Sequence, residues 1–80
     1  MKVTPIGTNK TEVSLADGTE ILFSYSQPVA ALVPGRGWIR TNKFWSVTTS
    51  KHINKWLADN MGATQSESVD QWDLDQLVAF

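Results

Sequence analysis

The sequence has no cysteine. No disulfide and no thiolate metal site can staple it, which excludes the disulfide-framework class of small secreted domains and fits a reducing compartment. It has one histidine, His52. A lone imidazole without cysteine does not make a zinc site, and a site built only from Asp70, Asp73 and Asp75 would be weak. No metal and no cofactor is therefore expected. No apolar run approaches the ~20 residues of a membrane span, and Met1 to Pro5 begins no signal-type run. A soluble intracellular protein that touches no membrane is the expectation. The chain carries no repeat, no low-complexity stretch and no linker. It has no glycine-rich phosphate loop either, so nucleotide binding would have to be unorthodox. Residues 21–58 contain no acid, and residues 59–80 contain no base.

What is present is apolar bulk and segregated charge. The 80 residues make one small α+β domain spanning 1–80. A chain of this size buries roughly 60–65% of its unfolded surface, so its stability is modest. Four Trp, three Phe and one Tyr compensate, since each aromatic can bury roughly 150–250 Å². The net charge is −1. All five bases of the middle, Arg36, Arg40, Lys43, Lys51 and Lys55, precede five acids, Asp59, Glu67, Asp70, Asp73 and Asp75. The bland reading docks the acidic tail on the basic middle. The sharper readings make one of the two a binding face.

The apolar pattern divides the chain into a β-rich front and a helical back. Thr11 to Ala16 alternates, with Val13 and Leu15 on one side and Glu12 and Ser14 on the other, as a half-buried strand does. Asp17-Gly18 predicts a two-residue turn with positive φ at both positions. The return strand, Glu20 to Ser26, puts Ile21, Phe23 and Tyr25 on one face. Pro28 cannot donate a ladder hydrogen bond and predicts a bulge, bend or edge there. Val29 to Val33 follows as an apolar strand, and Pro34 to Gly37 as a turn. Trp38–Thr41 and Phe44–Thr48 predict a second hairpin with Asn42-Lys43 at its tip. A helix then starts at Thr48 or Thr49, either of which can cap it. Its buried stripe is Ile53, Trp56, Leu57 and Asn60 or Met61. Gly62 ends it as a left-handed cap, and Ala63 to Glu67 is loop. A last helix, about Asp70 to Val78, enters through Ser68 with Gln71 in capping-box spacing. Leu74, Leu77 and Val78 form its apolar face, and Trp72 straddles the edge. The expected architecture is an antiparallel sheet of four to five strands in two hairpins, with two helices packed on one face.

Three candidate sites follow, each with a structural alternative. Thr48, Thr49, Ser50, Lys51 and His52 lie at the predicted helix N-terminus, where free amides, hydroxyls and a base suit an anion such as a small metabolite. Arg40 and Lys43 would join them if the hairpin folds alongside. Plain capping explains the same residues. Trp38, Phe44, Trp45 and Trp56 interleave with Arg36, Arg40, Lys43, Lys51 and Lys55, as in single-strand nucleic-acid binders. Against this, the aromatics are needed for the core, and the acidic pI of 5.6 is unusual for a dedicated binder. The acidic tail, Glu67, Asp70, Trp72, Asp73 and Asp75 with Phe80, suits a basic groove on a protein, although acids in a helix's first turn are also favoured by its dipole. A triad of Ser46 or Ser50 with His52 and a distant Asp can be drawn, as it can in most small proteins, and no enzyme is expected.

The stretches Phe23-Ser24-Tyr25-Ser26-Gln27-Pro28-Val29-Ala30, Ile39-Arg40-Thr41 and Trp45-Ser46-Val47-Thr48-Thr49-Ser50-Lys51-His52-Ile53-Asn54-Lys55-Trp56-Leu57 resemble a family of short phage-encoded proteins of unknown function. In that family a "YSTPVA"-like strand precedes a "TTSxHINKWL"-like helix start. Gln27 stands here where the family often has Thr. The resemblance covers residues 20–58, about half the chain. It implies a viral setting, the host cytoplasm and a small accessory protein. It makes Tyr25, Pro28, Thr48, Thr49, His52 and Asn54 pattern positions without assigning them a role. With the small size, it leads to a non-catalytic binder of a host protein or nucleoprotein complex, such as a counter-defence (anti-CRISPR-like) or host-takeover inhibitor. The alternatives are a nucleic-acid binder using the aromatic-basic middle and a sponge for a small anionic metabolite. A homodimer is favoured if one face of the sheet stays uncovered.

Overall fold

The computed structural model describes residues 1–61 and 66–78. The expected Gly62 cap, the loop over 63–65, Phe80 and the side chain of Met61 lie outside the described residues.

The elements run β1 (Lys2–Gly7), β2 (Lys10–Ser14), β3 (Glu20–Ser24), β4 (Gln27–Val33), β5 (Gly37–Thr41), α1 (Val47–Met61), β6 (Glu67–Val69) and α2 (Gln71–Leu77). The strands form one sheet in chain order. The first five make an antiparallel meander, and β6 lies parallel to β5. Parallel neighbours need a crossover, and α1 supplies it. The fold is α+β, as the sequence predicts, with more strands than the four to five expected.

Two strands are additions. β1 is an exposed edge strand in which Pro5 faces Thr11, a position where proline costs no central ladder bond. β6 is three residues long, and it includes Ser68, the expected helix cap. Asp70 therefore takes the N-cap position of α2, without a side-chain cap bond.

The helices take opposite faces of the sheet, not one. Ile21 and Leu22 are adjacent on β3 and both fully buried. Ile21 joins Val13, Ala31, Ile39, Val69 and Leu74 of α2. Leu22 joins Val29, Ala30 and Ile53, Trp56 and Leu57 of α1. Successive strand residues point to opposite faces, so a strand apolar on both sides needs cover on both. Burying each such side chain stabilises by about 1.5–3 kcal/mol.

The turns differ from expectation in detail. Leu15 N–H donates to Thr19 O at 2.8 Å and Gly18 N–H to Leu15 O at 3.2 Å. Of the two expected turn residues only Gly18 has positive φ, at 96°. This is a three-residue loop with a glycine bulge rather than a two-residue primed turn. Thr19 N–H donates to Asp17 Oδ1 at 2.9 Å and holds the Asp17 carboxyl below its ordinary range. β3 stops at Ser24, paired with Gln27. Tyr25 thus leaves the strand face and sits in the turn with φ 58°. The bulge predicted at Pro28 is present: Leu22 pairs Ala30 and Phe23 pairs Pro28, which leaves Val29 unpaired.

The second hairpin does not form. Trp38–Thr41 belongs to β5, which is flanked by β4 and β6. Both of its edges are taken, so Phe44–Thr48 has no place in the sheet. Residues 42–46 are loop, and Val47 opens α1. The cap is Ser46, whose Oγ accepts Thr49 N–H at 3.1 Å. The helix thus begins before the expected Thr48 or Thr49.

Candidate functional site

The start of α1 is built on a chain of buried hydroxyls. Ser46 Oγ donates to Thr49 Oγ1 at 3.2 Å. Thr49 Oγ1 and Ser24 Oγ are 2.9 Å apart, and Ser24 Oγ lies 2.8 Å from His52 Nδ1. A hydroxyl has one proton. One direction has Thr49 accepting from Ser46 and donating to Ser24, which donates to His52. Run in this direction, every link is satisfied if Nδ1 is unprotonated and Nε2 carries the hydrogen. Burial, with Lys10 adding to it, pushes the His52 pKa below its ordinary value, which agrees with a neutral ring.

This network decides how the anion reading fares. Thr49 and Ser24 are 4% and 2% exposed, so their hydroxyls face the sheet and not a ligand. Ser24 beside His52 has the spacing of a nucleophile and its base, but no substrate reaches so buried an oxygen. Ser50 N–H closes the first helical turn on Ser46 O at 3.0 Å. Thr48 and Lys51 are exposed. Arg40 donates to Asn54 Oδ1 at 3.0 Å, and Lys43 Nζ sits 4.0 Å above the Trp45 ring. Lys55 pairs with Asp59 one turn on, at 3.3 Å. The bases around the helix start are each engaged locally, apart from Lys51, and do not converge on its amides.

The aromatic-basic middle divides in the same way. Trp38 and Trp56 meet edge to face at 5.5 Å between ring centroids, inside the cluster under α1. Trp45 is half-buried and donates its Nε1 to Gln71 Oε1 at 3.1 Å. Only Phe44 of the four is exposed, at 70%.

The acidic tail does dock on the basic middle, through Arg36. Its guanidinium lies 3.4 Å from Glu67 and 3.6 Å from Asp73. Asn42 Nδ2 donates to Asp70 at 3.0 Å, and Asn42 N–H to Val69 O at 2.8 Å. Gln71 Nε2 donates to Pro28 O at 2.7 Å and to Asp75 at 3.0 Å. Gln71, expected to close a capping box with Ser68, instead clamps β4, the 42–46 loop and α2 together. The two segments so joined present Phe44 and Val47 on one and Trp72, 66% exposed, on the other.

A second concavity lies between α1 and the β1–β2 hairpin, with a volume of about 230 Å³. The hairpin contributes Ile6, Lys10 and Glu12. The helix contributes His52, Lys55, Trp56, Asp59 and Asn60, the i, i+3, i+4, i+7, i+8 face of one helix. Pro5 pairs Thr11 and Gly7 pairs Lys10, so Ile6 is a bulge residue, and bulges re-aim side chains. Lys10 folds back over Gly7, where a Cβ would stand 2.6 Å from its Cε. Glu12 Oε2 accepts the Trp56 indole N–H at 2.9 Å. Lys10 and Glu12 escape a sequence reading because their partners are on a helix forty residues away.

Among the described residues, no group of three or more His, Asp and Glu is placed to hold a metal ion, and no helix is long and apolar enough to cross a membrane. Residues 1–74 match the model of a family described as a family of unknown function (DUF8033). No curated protein and no solved structure matches the chain.

Proposed function

The chain belongs to this family of unknown function, and from that premise we propose that it is a non-catalytic protein-binding module. The observation that carries the reading is the pair of exposed aromatics, Phe44 and Trp72, on two segments that Asn42, Trp45 and Gln71 hold together. Aromatics cost least to order on binding and dominate interface energies, with the centre of an interface carrying most of it. Here the segments that carry them are tied to one another.

The partner favoured is a protein with a basic face. Glu67, Asp70, Asp73 and Asp75 lie on the same β6–α2 segment as Trp72, against Arg36 and Lys43. Carboxylates that already accept one bond retain further lone pairs for a partner's Arg or Lys. In the phage setting that the sequence suggests, such a module is a small accessory protein acting on a host protein, with inhibition of a defence or host enzyme as its use. The exposed Thr48 and Lys51 extend the same end of α1.

The test is a tagged pull-down from host lysate, with and without nuclease, beside the double variant Phe44→Ala/Trp72→Ala. Both side chains are exposed, so the variant keeps its melting profile. The reading expects a nuclease-resistant partner that the double variant fails to retain. Retention unaffected by the double variant, or abolished by nuclease, overturns it.

A further inference from the structure

We propose that the groove between α1 and the β1–β2 hairpin binds a small zwitterion of free amino-acid size, its carboxylate at Lys10 and His52 and its ammonium at Glu12. The site shares no residue with the Phe44–Trp72 surface and does not depend on it.

The charge order is the first argument. Lys10 pairs in register with Ser24, and Ser24 contacts His52 near the start of α1. Glu12 contacts Trp56 one turn later, and Asp59 follows. Strand and helix therefore descend together, from Lys10 and His52 at one end to Glu12 at the other, with Lys55 and Asp59 neutralising each other at 3.3 Å. Lys10 and Glu12, two apart on one strand face, have Cα atoms about 7 Å apart. The walls carry Lys10 and Lys55 against Glu12 and Asp59. A ligand with net charge of either sign meets as much repulsion as attraction there, whereas a zwitterion placed along that axis meets attraction at both ends.

The second argument is the state of His52. Its Nδ1 is occupied by Ser24, so the nitrogen left for a ligand is Nε2, which carries the hydrogen in the tautomer whose Nδ1 accepts from Ser24. A carboxylate accepts from it without requiring a charged ring. The third is size. A volume of about 230 Å³ is below the ~300 Å³ at which drug-like pockets begin, and it suits a ligand of a few heavy atoms. Ile6 and Trp56 give it apolar walls.

The experiment follows the Trp56 indole N–H by NMR in the full chain, since that proton reports on Glu12. Free amino acids are titrated against their N-acetyl and methyl-ester forms, which each lack one charge. The proposal expects saturable shifts with a Kd in the millimolar range, weakened about tenfold or more by loss of either charge. Lys10→Met and Glu12→Gln should each abolish the shift. The ligand series on the unaltered chain decides the matter even if a variant fails to fold. No saturable shift up to about 50 mM, well above a millimolar Kd, equal binding of singly charged forms, or binding that survives both substitutions overturns it.

Discussion

Replacing Ser24 with Ala tests the hydroxyl chain at its centre. The change removes one oxygen from a site 2% exposed and breaks two bonds, of 2.9 Å to Thr49 and 2.8 Å to His52. Thr49 is itself buried, so its hydroxyl proton must turn to Ser46 Oγ, 3.2 Å away, or go unpaired. An unsatisfied buried donor costs about 1–3 kcal/mol. His52 is half-buried, and water can take over part of its lost bond. The expected loss is therefore about 2 kcal/mol, out of the ~4–12 kcal/mol typical of a chain this long. With m of about 1 kcal/mol/M in urea, the midpoint falls by about 2 M at unchanged slope. Thr49→Val removes the other partner while keeping the shape. Because the double variant leaves no unpaired hydroxyl between positions 24 and 49, while half-buried Ser46 and His52 can turn to water, it should cost about 1 kcal/mol less than the two single losses together. A single Ser24→Ala loss under about 0.5 kcal/mol, or a cycle that closes additively, would falsify the buried network.

Three further outcomes are expected. The folded-state pKa of His52 lies below its ordinary value, so its contribution is complete above about pH 6.5 and is lost as pH falls through the folded pKa. Urea midpoints should drop between about pH 7.5 and 5, and His52→Gln should flatten that drop. Asp17, with its pKa lowered by Thr19, loses its contribution only below about pH 4, so the two windows separate. Gly18→Val places a β-branched residue at φ 96°, with its Cβ 3.3 Å from Pro34 Cγ. It should lower stability by about 1–3 kcal/mol in thermal melts, and an unchanged melt would mean the turn is misplaced. Trp56→Ala empties a 4% exposed site and should cost ~3–5 kcal/mol, enough to unfold much of the population at 37 °C by circular dichroism.

The elements that the sequence reveals are those with one polar face. β2 alternates because Glu12 and Ser14 oppose Val13 and Leu15, and α1 shows a stripe because Lys51, Asn54 and Lys55 are exposed around it. β1 and β6 do not show. One is an edge strand with a proline and only a few apolar residues, and the other is three residues long, too short for any period to appear. The split of the helices was present in the pattern. Ile21-Leu22 and Val29-Ala30-Ala31 are apolar on consecutive residues, which marks a strand buried on both faces. A sheet with such strands cannot leave one side to solvent, so two helices on one face were never compatible with those strands.

The helix start was the harder reading, because a capping hydroxyl, a ligand-binding hydroxyl and a buried hydroxyl are the same atom in a sequence. Spacing separates them. Thr49 and His52 precede Ile53 and Trp56 by four residues and Trp56 and Asp59 by seven, so Thr49 continues the apolar stripe back to the first turn, while His52 lies along its border. On an amphipathic helix, a polar residue in line with the stripe faces the sheet and must find its hydrogen bond there. The partner was not readable, since Ser24 is 25 residues from Thr49. The direction was. Val47, Thr48 and Lys51, off the stripe, are the residues of that turn that face solvent. It follows that the buried hydroxyl of this helix start, Thr49, serves to dock α1 onto β3.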